Sequence, residues 1–163
     1  MNEEISAKAE KIKLLITDVD GVLTDGKIYL GANEQEFKAF NVKDGKGIKL
    51  LQKAGIEVAI ITGRQSQAVT RRAQELSIKE VHQGITDKIK VFNQILERYN
   101  LDKSEVAYIG DDVNDLEILK QVGFSASVRD GIKQVKEEVD YVTRFVGGQG
   151  AVRELAEVIL NAK

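Results

Sequence analysis

Two carboxylates, Asp18 and Asp20, stand where the apolar run Leu14-Leu15-Ile16 ends, in the stretch Asp18-Val19-Asp20-Gly21-Val22-Leu23-Thr24-Asp25-Gly26. A short aliphatic run of this kind reads as a buried parallel strand, and in open α/β sheets ligands gather at the carboxyl ends of such strands. Both side chains are therefore expected in one cleft. Alternate residues of an extended segment point the same way, which lets one Asp attack a substrate while the other handles protons. The pair alone does not name a reaction.

Three further groups follow apolar runs in the same manner. After Val58–Ile61 come Thr62, Gly63 and Arg64, a hydroxyl, a backbone open to close approach and a fixed cation, which together suit a phosphate oxygen. For Thr62 taken alone, an ordinary strand-to-helix turn capped by Ser66 is the better explanation. Beyond Val81-His82-Gln83-Gly84 lies Asp87-Lys88 at a helix start, and Lys88 taken alone would be a solvated charge. After Val106–Ile109 comes Gly110-Asp111-Asp112-Val113-Asn114-Asp115, a dense set of oxygen donors of the kind that hard cations such as Mg²⁺ select. Helix capping accounts for one or two of these residues. A divalent ion would also let Asp18 and Asp111 approach without the like-charge cost that raises a carboxyl pKa.

The elements that must position these groups repeat one pattern: an apolar strand, a turn bearing Gly or Asp, then an amphipathic helix. This predicts an α/β fold, a three-layer Rossmann-like parallel sheet with helices on both faces. Predicted strands are Ile12–Thr17, Glu57–Thr62, Glu80–His82, Val106–Ile109 and Phe124–Ser127. Predicted helices are Gly45–Ala54, Ser66–Leu76, Asp87–Tyr99, Asn114–Gln121, Ile132–Glu138 and Ala151–Leu160. The exception follows the acidic pair, where Lys27–Leu30 and Gln35–Phe40 alternate around Gly31-Ala32-Asn33-Glu34 and read as a β-hairpin inserted after the first strand. An isolated hairpin is marginal in water, so Ile28, Leu30, Phe37 and Phe40 need a surface to pack on, either a neighbouring subunit or the chain's own domain.

With 163 residues, 42% of them apolar, the chain suits a single domain over 1–163. A formal charge of −2 leaves no field that would draw nucleic acid or an anionic membrane. No apolar stretch reaches the roughly 20 residues that span a bilayer. The absence of Cys removes disulfides and thiolate sites, and Met1 to Lys13 is charged rather than signal-like. A cytoplasmic protein acting on a small molecule is the expectation.

A nucleophilic carboxylate, a second carboxylate two residues on, a hydroxyl, a lysine and an acidic metal-binding loop, in that order, are equipment for phosphoryl transfer, which rests on positioning and on cations around the transferring group. At this point the chain resembles the haloacid dehalogenase superfamily, whose four motifs match Asp18-Val19-Asp20-Gly21-Val22, Thr62, Lys88 and Gly110-Asp111-Asp112. That resemblance implies that Asp18 attacks phosphorus to form an aspartyl-phosphate, while Asp20 protonates the leaving oxygen and then activates water. It implies Mg²⁺ held by Asp18, the backbone carbonyl of Asp20, and Asp111, with Asp112 and Asp115 supporting, and phosphoryl oxygens bound by Thr62 and Lys88.

A closer similarity lies in Asp20–Gly26, Ile61–Arg64 with Ser66, Val69 and Arg72, Gln83-Gly84 with Asp87-Lys88, Tyr108–Asp115, and Gly147–Glu154. These resemble the 3-deoxy-D-manno-octulosonate 8-phosphate phosphatases, which lack a cap domain and form tetramers in which the hairpin helps cover a neighbour's site. The resemblance implies a sugar-acid phosphate as substrate, a homotetramer with hairpin Lys27 to Phe40 at the subunit interface, and a place in lipopolysaccharide sugar synthesis. It makes Gly63, Arg64 and Arg72 candidate substrate contacts and Gly147–Gly150 a segment that can close over a site. Departures are Asp130-Gly131-Ile132, where relatives often carry a small residue and His-Pro, and Leu76-Ser77-Ile78 in place of Leu-Gly-Ile. Alternatives are another sugar-acid phosphate such as a sialic acid 9-phosphate, or a non-catalytic oligomerisation domain of the same fold. A signalling receiver domain is disfavoured, because its phospho-accepting Asp lies on a middle strand without a second carboxylate two residues along.

Overall fold

Strand side chains alternate between two faces, so a strand covered on both sides must be apolar throughout. Leu14, Leu15 and Ile16 meet that condition and are fully buried. The computed structural model describes residues 3–33 and 35–163; Glu34 of the expected hairpin turn and the start of the N-terminal segment, Met1 and Asn2, lie outside the described residues. In chain order the elements are α1 (Glu3–Glu10), β1 (Leu14–Thr17), β2 (Tyr29–Leu30), β3 (Glu36–Phe37), α2 (Val42–Lys53), β4 (Glu57–Ile61), α3 (Gln67–Leu76), β5 (Glu80–His82), α4 (Lys88–Tyr99), β6 (Val106–Gly110), α5 (Leu116–Leu119), β7 (Phe124–Ser127), α6 (Lys133–Lys136), β8 (Tyr141–Val142) and α7 (Ala151–Asn161).

Six strands form one parallel sheet in the order β5-β4-β1-β6-β7-β8. Alternation divides its core in two. Leu15, Val58, Ile60, Ala107 and Ile109 face α1, α2, α3 and α7 through Ala9, Leu51, Val69 and Leu155. On the other face Leu14, Ile16, Ala59, Ile61 and Tyr108 meet α4, α5 and α6 through Phe92, Ile95, Leu119 and Val135. The chain is thus a three-layer α/β/α fold of the Rossmann type. Between β1 and α2 the described residues form only the two-stranded antiparallel hairpin β2-β3, so no cap domain is inserted there. No helix among the described residues is long and apolar enough to cross a membrane.

Differences from the sequence expectation have local causes. Helix α2 starts three residues early, capped by Asn41, whose side chain accepts from the Lys43 N–H at 2.8 Å. Its glycines are matters of packing, since a Cβ on Gly45 would lie 2.4 Å from the Arg72 guanidinium and one on Gly47 2.9 Å from the Arg153 Cα. Expected helix Asn114–Gln121 divides into a 3₁₀ turn, Val113–Asp115, and the short α5. Hairpin pairing covers only two residues on each side. Helix α1 and edge strand β8 were not anticipated: α1 carries few apolar residues and is held by docking on α7 and β7, helped by Lys8 to Asp140 at 2.5 Å.

Ser77, one of the two departures noted above, ends α3 at φ 58°, where a side chain costs about 1–2 kcal/mol that glycine avoids. Ser77→Gly is therefore expected to stabilise the fold by up to about 1 kcal/mol, after glycine's larger unfolded-state entropy is subtracted. The check is a higher urea midpoint with unchanged m-value; a lower midpoint would contradict the assignment of strain there.

Candidate active site

Strand register decides which side chains meet. Thr17 lies level with Ile60 of β4 and Ile109 of β6, so Asp18, Thr62 and Asp111 leave the sheet at one edge, around the central strand from which the chain winds outward in both directions. Such a reversal of strand order is where open α/β sheets place their ligands. Asp18, Asp20, Thr62, Gly63, Arg64, Asp111, Asp112 and Asn114 line one cleft there of about 170 Å³. Thr62 is buried at its base. An added Cβ on Gly63 would meet only the Ile85 carbonyl, at 3.7 Å, so the backbone stays open to a ligand.

Beneath the cleft the Lys88 ammonium, at the start of α4, donates to Asp18 Oδ2 and to Asp115 Oδ1, each at 2.7 Å. All three side chains are under a tenth exposed. Burial alone would push the Lys88 pKa down, but the two carboxylates outweigh it and hold it above the usual lysine value. Burial pushes the Asp18 carboxyl up, against the pull of Lys88. Asp111, which faces the same centre, is raised to about 7 by burial first and then by the Asp18 and Asp115 charges. The excess is negative, with one ammonium against three carboxylates.

The acidic loop divides its labour. Asp112 caps the 3₁₀ turn, accepting from the Val113 N–H at 2.7 Å. Asp115 is saturated: Oδ1 accepts from Lys88 and, at 2.6 Å, from the Tyr108 hydroxyl, while Oδ2 accepts the N–H groups of Asp111 and Asp112 at 3.1 and 3.4 Å. Burial and Asp115 keep Tyr108 neutral, its pKa well above the usual 10. The part Tyr108 plays in holding Asp115 was not legible in the sequence, where it stands only as the first residue of the run Tyr108–Asp115.

Asp18, Asp111 and Asp115 each offer an oxygen within 4.8 Å of the others. Because Asp115 is already engaged by four donors, Asp18 and Asp111 are the ones left to a cation. Space is reserved beside them: a Cβ on Gly21 would fall 2.1 Å from Asp111 Oδ2. Hard oxygen donors, a surplus of negative charge and a cradle without side chain fit a divalent ion such as Mg²⁺.

Asp20 turns its carboxylate away from that cluster. Lys38 of the hairpin ion-pairs with its Oδ1, and Arg64 Nε stands 3.9 Å from its Oδ2. Arg64 Nη2 also donates to Glu36 Oε2 at 2.6 Å, which holds the Glu36 carboxyl below its usual range. Lys38 and Glu36 went unmarked in the sequence, since their approach depends on the hairpin folding back. Arg72 is not brought to the cleft: it lies over the Phe40 ring, 5.9 Å from the centroid, and donates to the Asn41 carbonyl at 3.3 Å. The segment from Gly147 supports the Asp18–Asp25 loop from behind. Gly148 N–H donates to the Val22 carbonyl at 2.9 Å, and a Cβ on Gly147 would lie 1.8 Å from the Gly21 carbonyl oxygen. Asp130, the other departure, accepts the Gly147 N–H at 2.9 Å, so it anchors that support.

A parallel sheet with an Asp-x-Asp loop on its central strand, a buried lysine and an acidic loop on the adjacent strand is the arrangement of haloacid dehalogenase-like hydrolases, and the pattern of that family matches residues 78–155. Over all 163 residues the chain is 46% identical to the 3-deoxy-D-manno-octulosonate 8-phosphate phosphatase of Escherichia coli (strain K12), covering 87% of that protein. The chain belongs to the 3-deoxy-D-manno-octulosonate 8-phosphate phosphatase family of these hydrolases. The Yersinia pestis phosphatase of that name superposes with a TM-score of 0.98 at 44% identity, over 99% of this chain and 88% of that one. The Moraxella catarrhalis phosphatase, solved with a magnesium ion, a phosphate ion and a KDO molecule, gives 0.97 at 45% identity, over 100% and 94%.

The raised Asp111 carboxyl has a definite sign in stability. Below about 4 both folded and unfolded chains hold its proton; between its ordinary 3.8 and about 7 only the folded chain does, so stability falls as pH rises through that window and the full penalty stands above it. A divalent cation offsets the penalty. Mg²⁺ is therefore expected to raise the melting temperature more at pH 8 than at pH 5, and Asp111→Asn to raise the metal-free melting temperature at pH 8 while removing the Mg²⁺ response. Thermal unfolding with Mg²⁺ and with EDTA measures both; an equal Mg²⁺ response in Asp111→Asn would contradict the placement of the ion.

Proposed function

We propose that the chain is a Mg²⁺-dependent phosphomonoester hydrolase that works through an aspartyl-phosphate on Asp18 and removes phosphate from 3-deoxy-D-manno-octulosonate 8-phosphate, in lipopolysaccharide sugar synthesis. The observation that carries the reading is the meeting of Asp18, Thr62, Lys88 and Asp111 at one sheet edge in a chain that is 46% identical to a phosphatase of that name. An intact set of reactive residues favours catalysis over the oligomerisation domain of the same fold. Another sugar-acid phosphate remains the alternative substrate.

An Asp18 carboxylate oxygen attacks phosphorus; the ester P–O bond breaks, and its electron pair leaves on the sugar oxygen, which takes a proton from Asp20. Water then gives a proton to Asp20 as it attacks the phosphorus of the aspartyl-phosphate, releasing inorganic phosphate and restoring the Asp18 carboxylate. Asp18, Asp111 and the Asp20 carbonyl would hold Mg²⁺, which would supply positive charge to the phosphoryl oxygens. Asp112 and Asp115 hold the acidic loop in place. Thr62 donates a hydrogen bond to a phosphoryl oxygen, the Gly63 backbone lies against the phosphoryl group, and Lys88 provides a fixed charge beneath it. Arg64, on the cleft wall, is the better placed of the two arginines for the sugar acid's carboxylate.

At about 170 Å³ the cleft is smaller than the roughly 300–1,000 Å³ that encloses a whole small ligand, so the sugar acid must rest on further surface. The hairpin, with Ile28 54%, Leu30 78% and Phe37 56% exposed, supports a homotetramer in which residues 27–40 meet a neighbour. The chain then acts as one catalytic domain over 1–163, without a cap and in the cytoplasm.

Phosphate release from a panel of sugar-acid phosphates is expected to be fastest with the octulosonate ester and to stop in EDTA; preference for another member would move the substrate assignment. Asp20→Asn is expected to retain the Mg²⁺ melting shift while losing turnover by about 10²-fold or more, and normal turnover in that variant refutes its role. Light scattering at micromolar concentration is expected to give a tetramer mass, and a monomer would remove the hairpin interface.

A further inference from the structure

Asp20 is the residue that must move a proton twice, yet its own loop does not fix its carboxylate. The partners that do come from elsewhere in the chain. Lys38 reaches it from the hairpin and Arg64 from the turn after β4, while Glu36, also on the hairpin, joins the two cations: its Oε2 accepts from Arg64 at 2.6 Å and its Oε1 lies 3.5 Å from Lys38 Nζ. Two acids and two bases therefore alternate in a closed ring. Lys38 is the deep member, with its side chain 2% exposed against 46% for Arg64. An ammonium so desolvated is stable only when paired, so this contact differs from the surface ion pairs elsewhere on the chain, which are worth little.

We propose that Lys38 is a positioning residue for the phosphatase reaction, one that holds the Asp20 carboxyl group in the orientation from which, once protonated, it passes its proton to the leaving oxygen. A group that transfers protons works when neighbours lock its rotamer, and a displacement of about 1 Å can cost on the order of 10²-fold in rate. Because Lys38 and Glu36 ride on the hairpin, the seating of that hairpin on the domain sets the geometry of Asp20. The inference rests on the proposed function, in which Asp20 is the proton carrier.

The test compares two esters. A sugar-acid phosphate releases a poor, alkoxide leaving group that needs the Asp20 proton, whereas p-nitrophenyl phosphate releases a stable phenolate that does not. Lys38→Met is expected to lower kcat/KM for the octulosonate ester by about 10- to 100-fold and that for p-nitrophenyl phosphate by far less, with the Mg²⁺ melting shift retained. Lys38→Arg, which keeps the charge, is expected to recover part of the loss, and it keeps the test open if Lys38→Met folds poorly. Equal loss on both esters, or unchanged kinetics in a folded Lys38→Met, overturns the positioning role and leaves the phosphatase reading standing. A wild-type protein that releases phosphate from neither ester overturns both.

Discussion

The buried ammonium of Lys88, shared between Asp18 and Asp115, is the contact on which the site depends. It draws together three parts of the chain that the fold brings up separately: the end of β1, the start of α4 and the loop after β6. Each carboxylate would be costly where it stands if the lysine were removed, and the lysine would be costly without them. The balance is still incomplete, because Asp111 adds a third carboxylate whose pKa is raised to about 7. A site assembled in this way is built for a second cation, and the family's magnesium chemistry fits the deficit.

Much of this was legible in the sequence, for reasons that differ from residue to residue. Asp18, Thr62 and Asp111 each follow an apolar run, and parallel register then carries them to one edge. Lys88 carries no such signal of its own; only its place among the motifs marked it. The acidic loop was read as a mixture of capping and metal binding, and the structure separates the two, with Asp112 capping, Asp115 gathering donors and Asp111 facing Asp18. Tyr108 was hidden because a buried aromatic at core spacing looks the same whether or not its hydroxyl holds a carboxylate.

What escaped the sequence was long-range. Lys38 lies 18 residues from Asp20, and nothing in local periodicity says that the hairpin turns back over the Asp loop. Of the two expectations for the hairpin, packing on the chain's own domain holds for Phe40, while Leu30 and Phe37 stay exposed. Arg72 shows the converse, since a cation near a phosphate-binding turn in sequence is spent on Phe40 and the Asn41 carbonyl. The Gly147 segment, expected over a site, lies behind the Asp18–Asp25 loop within this chain and leaves no room there for a side chain.

In the proposed reaction Asp18 becomes covalently phosphorylated. Rapid acid quench of the protein turning over the octulosonate ester with Mg²⁺, followed by peptide mass analysis, tests it directly. One phosphoryl group is expected on the peptide that contains Asp18, lost in EDTA and in Asp18→Asn. Turnover that proceeds at full rate in Asp18→Asn, or a phosphoryl group on another residue, would contradict it.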